Sequence, residues 1–196
     1  MSTKIRFLHS CSKFNKFDIY LKDCILCPDL SYLGHSHYYD VEHGKIMFKI
    51  CPPKKHYSIL DAYTYVSENS YQTAIVTGLN GDLSLFVVPD AYIPLTFNKA
   101  FIRFVNLAPD KTLDFIVYDG APVTFSNVGY KEATDYYTLY SDTYDIAVRI
   151  SGTNNIFLTM KDVQLVENRF YTIYVFGFTR DANSPGYLIF TDGANQ

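Results

Sequence analysis

The eleven residues Glu68–Gly78, ENSYQTAIVTG, return without gaps as Glu167–Gly177, ENRFYTIYVFG. Five of the eleven positions are identical, at an offset of 99 residues in a chain of 196. A repeat of this period indicates a duplicated structural unit. Both copies are rich in aromatic and β-branched side chains, which pack well on pleated, half-buried surfaces. The stretch therefore predicts two tandem copies of one all-β domain.

Shorter matches extend the repeat towards the start of each copy. They are Ile5–Leu8 with Ile102–Val105, Asp18 with Asp114, and Leu33-Gly34 with Val128-Gly129, at offsets of 97, 96 and 95. Strand-like runs recur with turn signals between them, and helix signals are scarce, as is typical of a sandwich or barrel. We therefore expect two antiparallel β-sandwich domains of the immunoglobulin-like type, at residues 1–94 and 95–196.

The predicted join lies in Val88–Lys99, because Pro89 and Pro94 cannot take part in central ladders. Asn80-Gly81 and Asp119-Gly120 follow strand-like runs, and both dipeptides suit type I′ hairpin turns. In the second copy, Phe170–Phe178 is expected to return through Gly186–Phe190 as a hairpin. Each copy is therefore predicted to contain hairpins of neighbouring strands.

Composition excludes several classes of partner. A net charge of −3 and a pI near 5.9 leave no broad basic field for nucleic acid. No apolar run approaches the roughly 18 residues of a membrane-spanning helix, so no membrane partner is expected. Met1–Phe7 enters a strand-like pattern at once and lacks the apolar core of a signal peptide. We expect synthesis in the cytoplasm without a signal peptide.

Cysteine and histidine are confined to the first copy. The cysteines are Cys11, Cys24, Cys27 and Cys51, and the histidines are His9, His35, His37, His43 and His56. His35 and His37 would project from one face of a strand, and Cys24 and Cys27 have zinc-knuckle spacing. No second pair completes a typical zinc set. The four residues are therefore candidate metal ligands only, the alternative being exposed loop residues and buried thiols, and we predict no metal site.

Disulfide formation, either between subunits or within the first domain, is a competing role for the cysteines. Cys24 and Cys27 align with the Asp119-Gly120 turn of the second copy, which predicts an exposed loop tip at Asp23–Pro28. A cross-link would need an oxidising stage after release from the cytosol, and inert free thiols are the alternative. The second copy folds with no cysteine, so folding alone does not explain them. We predict that at least one of Cys11, Cys24, Cys27 and Cys51 bonds to another subunit.

Signatures of catalysis are absent from the sequence. It contains no Gly-x-Ser-x-Gly, no His-Glu-x-x-His and no phosphate-binding glycine loop, so we expect no enzyme, no catalytic residues and no cofactor. An aromatic platform for sugar or peptide is suggested by six tyrosines, which are Tyr38, Tyr39, Tyr136, Tyr137, Tyr140 and Tyr144. Adjacent tyrosines on a strand face opposite sides, however, so one of each pair is expected to enter the core.

Three segments of the second copy resemble a bacterial family, domain of unknown function 4397. They are Phe101–Asp110 continued by Leu113–Val117, Thr143–Ile150, and Arg169–Gly177. The first copy matches at its opening, around Gly34 and at its closing hairpin, and departs at Cys11–Lys13 and Cys51–Pro53.

The resemblance implies no catalytic residues. It implies a surface protein of spore-forming Firmicutes, especially clostridia: a structural, self-assembling subunit of a spore coat, exosporium or appendage. The expected partners are further copies, as a homo-oligomer or filament, and other spore-surface proteins. The alternative is a surface module that binds glycan or peptide.

Overall fold

The computed structural model describes residues 3–55, 57–79, 82–92, 98–178 and 185–193. In these ranges the regular structure is entirely β, which confirms the predicted fold class. None of these residues belongs to a helix able to span a membrane. The chain divides into two compact units, Met1–Asp90 and Ala91–Gln196. The predicted join at residues 94 and 95 lies outside the described residues.

Unit 1 is a sandwich of two four-stranded sheets, ordered β4-β1-β7-β8 and β3-β2-β5-β6. Its strands are β1 (Lys4–His9), β2 (Lys16–Leu21), β3 (Cys24–Ser31), β4 (Tyr39–Asp40), β5 (Gly44–Cys51), β6 (Leu60–Val66), β7 (Tyr71–Leu79) and β8 (Asp82–Asp90). Alternate residues of each strand point between the sheets, where Phe7 and Phe48 meet edge to face at 5.1 Å between ring centroids.

Unit 2 repeats this arrangement, with sheets ordered β12-β9-β16-β17 and β11-β10-β14-β15, and with β13 also on β9. Its strands are β9 (Lys99–Leu107), β10 (Leu113–Asp119), β11 (Ala121–Val128), β12 (Glu132–Ala133), β13 (Tyr137–Tyr140), β14 (Asp142–Ile150), β15 (Ile156–Leu165), β16 (Phe170–Phe178) and β17 (Pro185–Asp192). In both units the first strand runs parallel to the penultimate one, β1 to β7 and β9 to β16. Each sandwich therefore contains one parallel pair of strands, whereas only antiparallel pairing was predicted.

The predicted hairpins form, but one turn differs from its predicted type. β7 pairs with β8 from Tyr71↔Asp90 to Leu79↔Asp82, and β16 pairs with β17. The dipeptide Asn80-Gly81 lies outside the described residues. At the β10–β11 turn only Gly120 has positive φ, 65°, whereas a type I′ turn needs positive φ at both central residues. The type I′ prediction is therefore wrong for Asp119-Gly120.

The structure also corrects the predicted start of the linker and one predicted match between the two copies. Val88–Asp90 closes β8 and is not linker, since β8 is an edge strand and edge strands tolerate proline. The N–H of Leu33 donates to His9 O, and the N–H of Lys131 donates to the equivalent Asn106 O. Both donors have φ near 60°. Leu33 is thus equivalent to Lys131, at an offset of 98, and the predicted match of Leu33-Gly34 with Val128-Gly129 is wrong.

Candidate functional site

A buried polar cluster joins three strands of unit 1. Arg6 Nε donates to Thr73 Oγ1 at 2.7 Å, and the Thr73 hydroxyl donates to Asp90 Oδ2 at 2.6 Å. The Tyr38 hydroxyl donates to the same carboxylate oxygen at 2.7 Å. The Arg6 guanidinium carbon lies 4.9 Å from the centroid of the Tyr38 ring. The Arg6 and Asp90 side chains are fully buried, and buried charges persist when they are paired and hydrogen-bonded in this way.

Unit 2 contains the same cluster, built from Arg103, Tyr136, Thr172 and Asp192. Arg103 Nε donates to Thr172 at 2.7 Å, and both the Thr172 hydroxyl and the Tyr136 hydroxyl donate to Asp192 Oδ2. Sequence reasoning missed the cluster because its members are spread over almost the whole unit. The identical Arg and Thr positions of the repeat were the signal that could have found it. The cluster ties the first strand of each unit to its last, which is a structural role.

A second repeated feature is an aspartate beneath a bulge in an edge strand. Asp18 accepts the N–H groups of Asp29 and Lys54, each at 2.8 Å. Asp29 has a φ of 51°, and the β2–β3 register shifts beside it. The carboxylate therefore holds the extra residue of the bulge in place.

Asp114 holds the corresponding bulge of unit 2, with Asn127 donating its N–H at 3.0 Å. Ser151 Oγ donates at 2.6 Å and Arg149 at 2.8 Å. Burial alone would raise the pKa of Asp114, but the hydrogen bonds from Ser151, Asn127 and Arg149 outweigh it and lower the pKa. Asp114 is thus held in its charged form.

The structure places the four cysteines in different surroundings. Cys24 is exposed, whereas Cys11, Cys27 and Cys51 are buried, and all four are free thiols. Burial raises the pKa of Cys27, and burial with the nearby Asp18 charge raises that of Cys51. Raised pKa values keep these thiols protonated and unreactive. Cys24 is therefore the one of the four that solvent reaches freely.

The predicted loop tip at Asp23–Pro28 is wrong in part. Cys24–Ser31 is strand β3, and the turn itself consists of Lys22 and Asp23, with a φ of 57° at Lys22. The alternation of β3 sends Cys27 into the core between the sheets. Cys24 and Cys27 therefore do not form an exposed pair.

His9 has a structural role that Asn106 fills in unit 2. The N–H of Cys11 donates to His9 Nδ1 at 3.2 Å, so Nε2 carries the proton and donates to Phe14 O at 3.1 Å. The Asn106 amide likewise accepts from the Ala108 N–H and donates to Lys111 O, each at 2.8 Å. Both side chains hold the loop that follows the first strand of their unit.

The other histidines that the structure describes do not build a metal centre. His35 forms an isolated bridge with Leu8, and burial followed by the Arg6 charge lowers its pKa. The His37 ring packs on Tyr39 at 4.1 Å between centroids, and His56 lies outside the described residues. Across the described ranges no three His, Cys, Asp or Glu side chains are grouped as metal ligands require. The candidates His35, His37, Cys24 and Cys27 are thus not brought together.

The predicted tyrosine platform is not assembled. Tyr38 and Tyr136 belong to the two buried clusters, and Tyr39 packs against the core of unit 1. Tyr144 is buried and donates its hydroxyl to Tyr140 O at 2.9 Å. One tyrosine of the second pair, Tyr137, is exposed while its neighbour Tyr136 turns inward, as predicted. In the first pair Tyr38 and Tyr39 are both half-buried, so the prediction of one core and one surface tyrosine is wrong there.

The sheet edges differ in how they are protected. Edge strands expose unpaired N–H and C=O groups, which proteins shield with proline, bulges, charge or short length. β3, β8, β11 and β17 each contain a proline, and β15 carries Asp162 at a φ of 53° with shifted registers. β4, β12 and β13 have four residues or fewer. Among the described edge strands, β6 alone has more than four residues and neither a proline nor a bulge, and its one charged residue is Asp61.

We call strand β6, Leu60–Val66, the β6 edge. It pairs with β5 in seven consecutive positions without a register shift. Ala62 and Val66 face the core, whereas Asp61, Tyr63 and Tyr65 face solvent. Tyr63 is 65% exposed and Tyr65 is 68% exposed. The β6 edge therefore combines a regular backbone with large exposed aromatic side chains.

The equivalent strand of unit 2 carries opposing features. Asp18 lies opposite Cys51 and Asp114 lies opposite Arg149, which aligns β5 with β14. By that alignment and the pairing of β6 and β15, Met47 corresponds to Asp145 and Tyr63 to Lys161. Lys161 forms an ion pair with Asp145 at 2.5 Å. A lysine and a bulge thus protect β15 at the place where the β6 edge has tyrosine.

The fold is that of a tandem β-sandwich protein, and within the described ranges the β6 edge is the regular edge strand without proline, bulge or lysine. The chain belongs to the family Domain of unknown function (DUF4397), whose model matches residues 3–113 and 109–196. This confirms the family resemblance found in the sequence. The comparison with curated proteins gave no match.

Several solved structures are similar over most of the chain at low identity. A DUF3823 family protein of Bacteroides ovatus is 11% identical over 85% of this chain and 98% of its own, with a TM-score of 0.26. A proposed cell adhesion protein of the same species is 10% identical over 100% and 99%, with a TM-score of 0.27. The TIE protein of Bacillus anthracis is 9% identical over 98% and 44%, with a TM-score of 0.26.

Proposed function

We propose that the protein is a non-enzymatic structural subunit that self-associates on a bacterial surface. The surface we propose is that of a spore, with the protein in its coat, exosporium or an appendage alongside other spore-surface proteins. The observation that carries self-association is the β6 edge: a regular, exposed strand without proline, bulge or lysine. Such an edge is a template for pairing with another chain.

The contrast between the two units supports this proposal. Both units have the same strand order, and β15 of unit 2 is protected by a bulge and by the Lys161–Asp145 ion pair. In a protein that remains monomeric, the same features on β6 would prevent unwanted pairing with other chains. An edge left open in one copy of a duplicated fold is an edge available for assembly.

Cys24 is the residue we propose for a disulfide between subunits. It is exposed at the start of β3, the strand at the opposite side of the same sheet from β6. After an oxidising stage, a bond at Cys24 would link assemblies that the β6 edge has already formed. A covalent link between subunits would make such an assembly resistant to dilution.

The test is the oligomeric state of the full chain. Light scattering after size-exclusion chromatography and negative-stain electron microscopy should show discrete oligomers or filaments whose population grows with concentration. A strictly monomeric protein at high concentration, with and without oxidant, would overturn the proposal. A monomer that binds on a glycan array would favour the alternative of a surface binding module.

A further inference from the structure

We infer that the β6 edge pairs antiparallel with the β6 edge of a second copy, about a two-fold axis at Tyr63. This inference rests on the proposed self-association and names its partner and register. A two-fold contact uses the same surface on both copies, so each residue must suit the residue that faces it. The β6 edge meets this requirement in its length, its faces and its charges.

The length of β6 and its alternation of core-facing and solvent-facing residues select the register of the pairing. When a strand pairs antiparallel with a copy of itself, its core-facing residues face core-facing residues only if one residue lies directly opposite its own copy across the axis. We name each register by that residue. An axis through Tyr63 pairs all seven residues, with Leu60 facing Val66 and Asp61 facing Tyr65. An axis through Ala62 or Thr64 leaves two residues of each copy unpaired. The register centred on Tyr63 therefore forms the longest ladder.

Charge complementarity supports the same register. Tyr65 lies opposite Lys45 on its own sheet, and Asp61 lies opposite Lys49. With the axis at Tyr63, the row across the contact reads Lys45, Tyr65, the partner's Asp61 and the partner's Lys49. Each carboxylate then sits in a row with two lysines and beside a tyrosine hydroxyl able to donate to it. No like charges face each other, which is favourable for cross-strand neighbours.

The same contact would fail at β15. Lys161 holds the position of Tyr63, so a two-fold axis there would place Lys161 against a second Lys161. Like charges directly opposite each other on paired strands are destabilising. The shifted registers of β15 would also break its ladder. The pairing is thus specific to unit 1.

The product is one continuous sheet across two copies. Each copy contributes four strands in the order β3-β2-β5-β6, and the two β6 strands meet at the centre. The outer strand on each side is then β3, which contains Pro28 and a bulge at Asp29. Growth of the sheet stops there, so the inferred contact produces a dimer.

Cysteine scanning in a Cys24→Ser background tests the register. Residues facing each other in an antiparallel pair have Cα atoms about 4.5–5.5 Å apart, within disulfide range. Tyr63→Cys should therefore form a covalent dimer under mild oxidation. Tyr65→Cys alone should not, because two copies of residue 65 would be about 13 Å apart along the strands. A mixture of Asp61→Cys and Tyr65→Cys proteins should form the mixed dimer.

A charge substitution tests the contact itself. Tyr63→Lys copies the residue that unit 2 has at this place and should weaken the dimer about a hundredfold in Kd by sedimentation equilibrium. The matched control is Thr159→Lys on β15, which adds the same charge to an exposed edge position of unit 2 and should leave Kd unchanged. An unchanged far-ultraviolet circular dichroism spectrum would confirm that both variants fold.

The outcomes separate the inference from the function on which it rests. A wild-type protein that stays monomeric overturns both. Oligomers that survive Tyr63→Lys, with no cross-link at Tyr63→Cys, overturn the β6 pairing and leave self-association in place. Cross-linking through Tyr65→Cys alone would show another register and would also overturn the inference.

Discussion

Asp18→Ala should destabilise unit 1 by about 3 kcal/mol, because it removes the carboxylate that accepts two backbone N–H groups. Those groups belong to Asp29 and Lys54, each 2.8 Å from a carboxylate oxygen of a side chain that is almost fully buried. Hydrogen bonds to a charged acceptor contribute about 1.5–3 kcal/mol each. Both hydrogen bonds are only partly buried, so water replaces some of the loss and the lower end of that range, about 1.5 kcal/mol for each bond, applies.

The location of the cysteines makes thiol labelling a direct assay of unit 1. All four cysteines lie in that unit, and Cys11 is 1% exposed. If labelling requires opening of the unit, its rate scales with the open population, and about 3 kcal/mol corresponds to roughly a hundredfold faster modification. Mass spectrometry of Cys11 after timed alkylation gives this rate. Cys51 is unsuitable, because Asp18 faces it and influences its pKa.

Two controls make the experiment decisive. Asp18→Asn keeps one oxygen acceptor and should accelerate the labelling of Cys11 about tenfold. Asp23→Ala removes an exposed carboxylate whose ion pair with Lys49 contributes little, so the rate should stay at the wild-type value. Equal Cys11 rates in Asp18→Ala and the wild type would refute the argument that this aspartate holds the bulge.

Further predictions concern the core, the polar cluster, acid stability and thiol access. Phe48→Ala should cost about 3–5 kcal/mol in the urea unfolding of unit 1, since it empties a fully buried site; a loss below 1 kcal/mol would contradict the packing described. Thr73→Val should cost about 1–3 kcal/mol, because Arg6 Nε loses an acceptor in a buried site, and unchanged urea unfolding would argue against that network. The pKa of Asp114 is lower in the folded state than in the unfolded state. Its contribution to the stability of unit 2 is therefore complete above the unfolded pKa of about 3.9 and is lost as pH falls through the folded pKa. Acid unfolding of unit 2, followed by hydrogen exchange, should therefore need a lower pH in the wild type than in Arg149→Gln, and equal midpoints would oppose this. One thiol of the native protein should react quickly, and Cys24→Ser should abolish that fast phase; a fast phase that persists would mean that a second cysteine is accessible.

Much of the fold could be predicted from the sequence, because the repeat and the strand patterns are local signals. The repeated segments Glu68–Gly78 and Glu167–Gly177 contain most of the equivalent strands β7 and β16, and the hairpins that these strands begin do form. The parallel pairing of β1 with β7 could not be predicted in the same way. It joins residues more than sixty positions apart, and no turn between them fixes the pairing.

The β6 edge could not be identified from amino-acid composition, because its identification requires the order of the strands in the sheet and their register. The sequence directed attention to cysteine and histidine, yet Cys27 enters the core and His9 replaces Asn106 in a backbone contact. The β6 edge was missed because LDAYTYV reads as an ordinary strand. Its importance appears only when the sheet order places it at an edge and when β15 offers a comparison. Tyr63 and Lys161 could not be matched before the registers of both units were available.

The polar clusters have a consequence for how the chain folds during synthesis. Arg6 stands in the first strand of unit 1 and its carboxylate partner Asp90 ends the last, with Thr73 between them. Contacts of such sequence separation make folding slow, because the intervening chain must close before they form. A growing chain therefore carries Arg6 without Asp90 until nearly the whole unit has been made. Each unit is expected to become native late, in one step that its closing aspartate completes, and a chain interrupted before Asp90 should remain a target for proteases and chaperones.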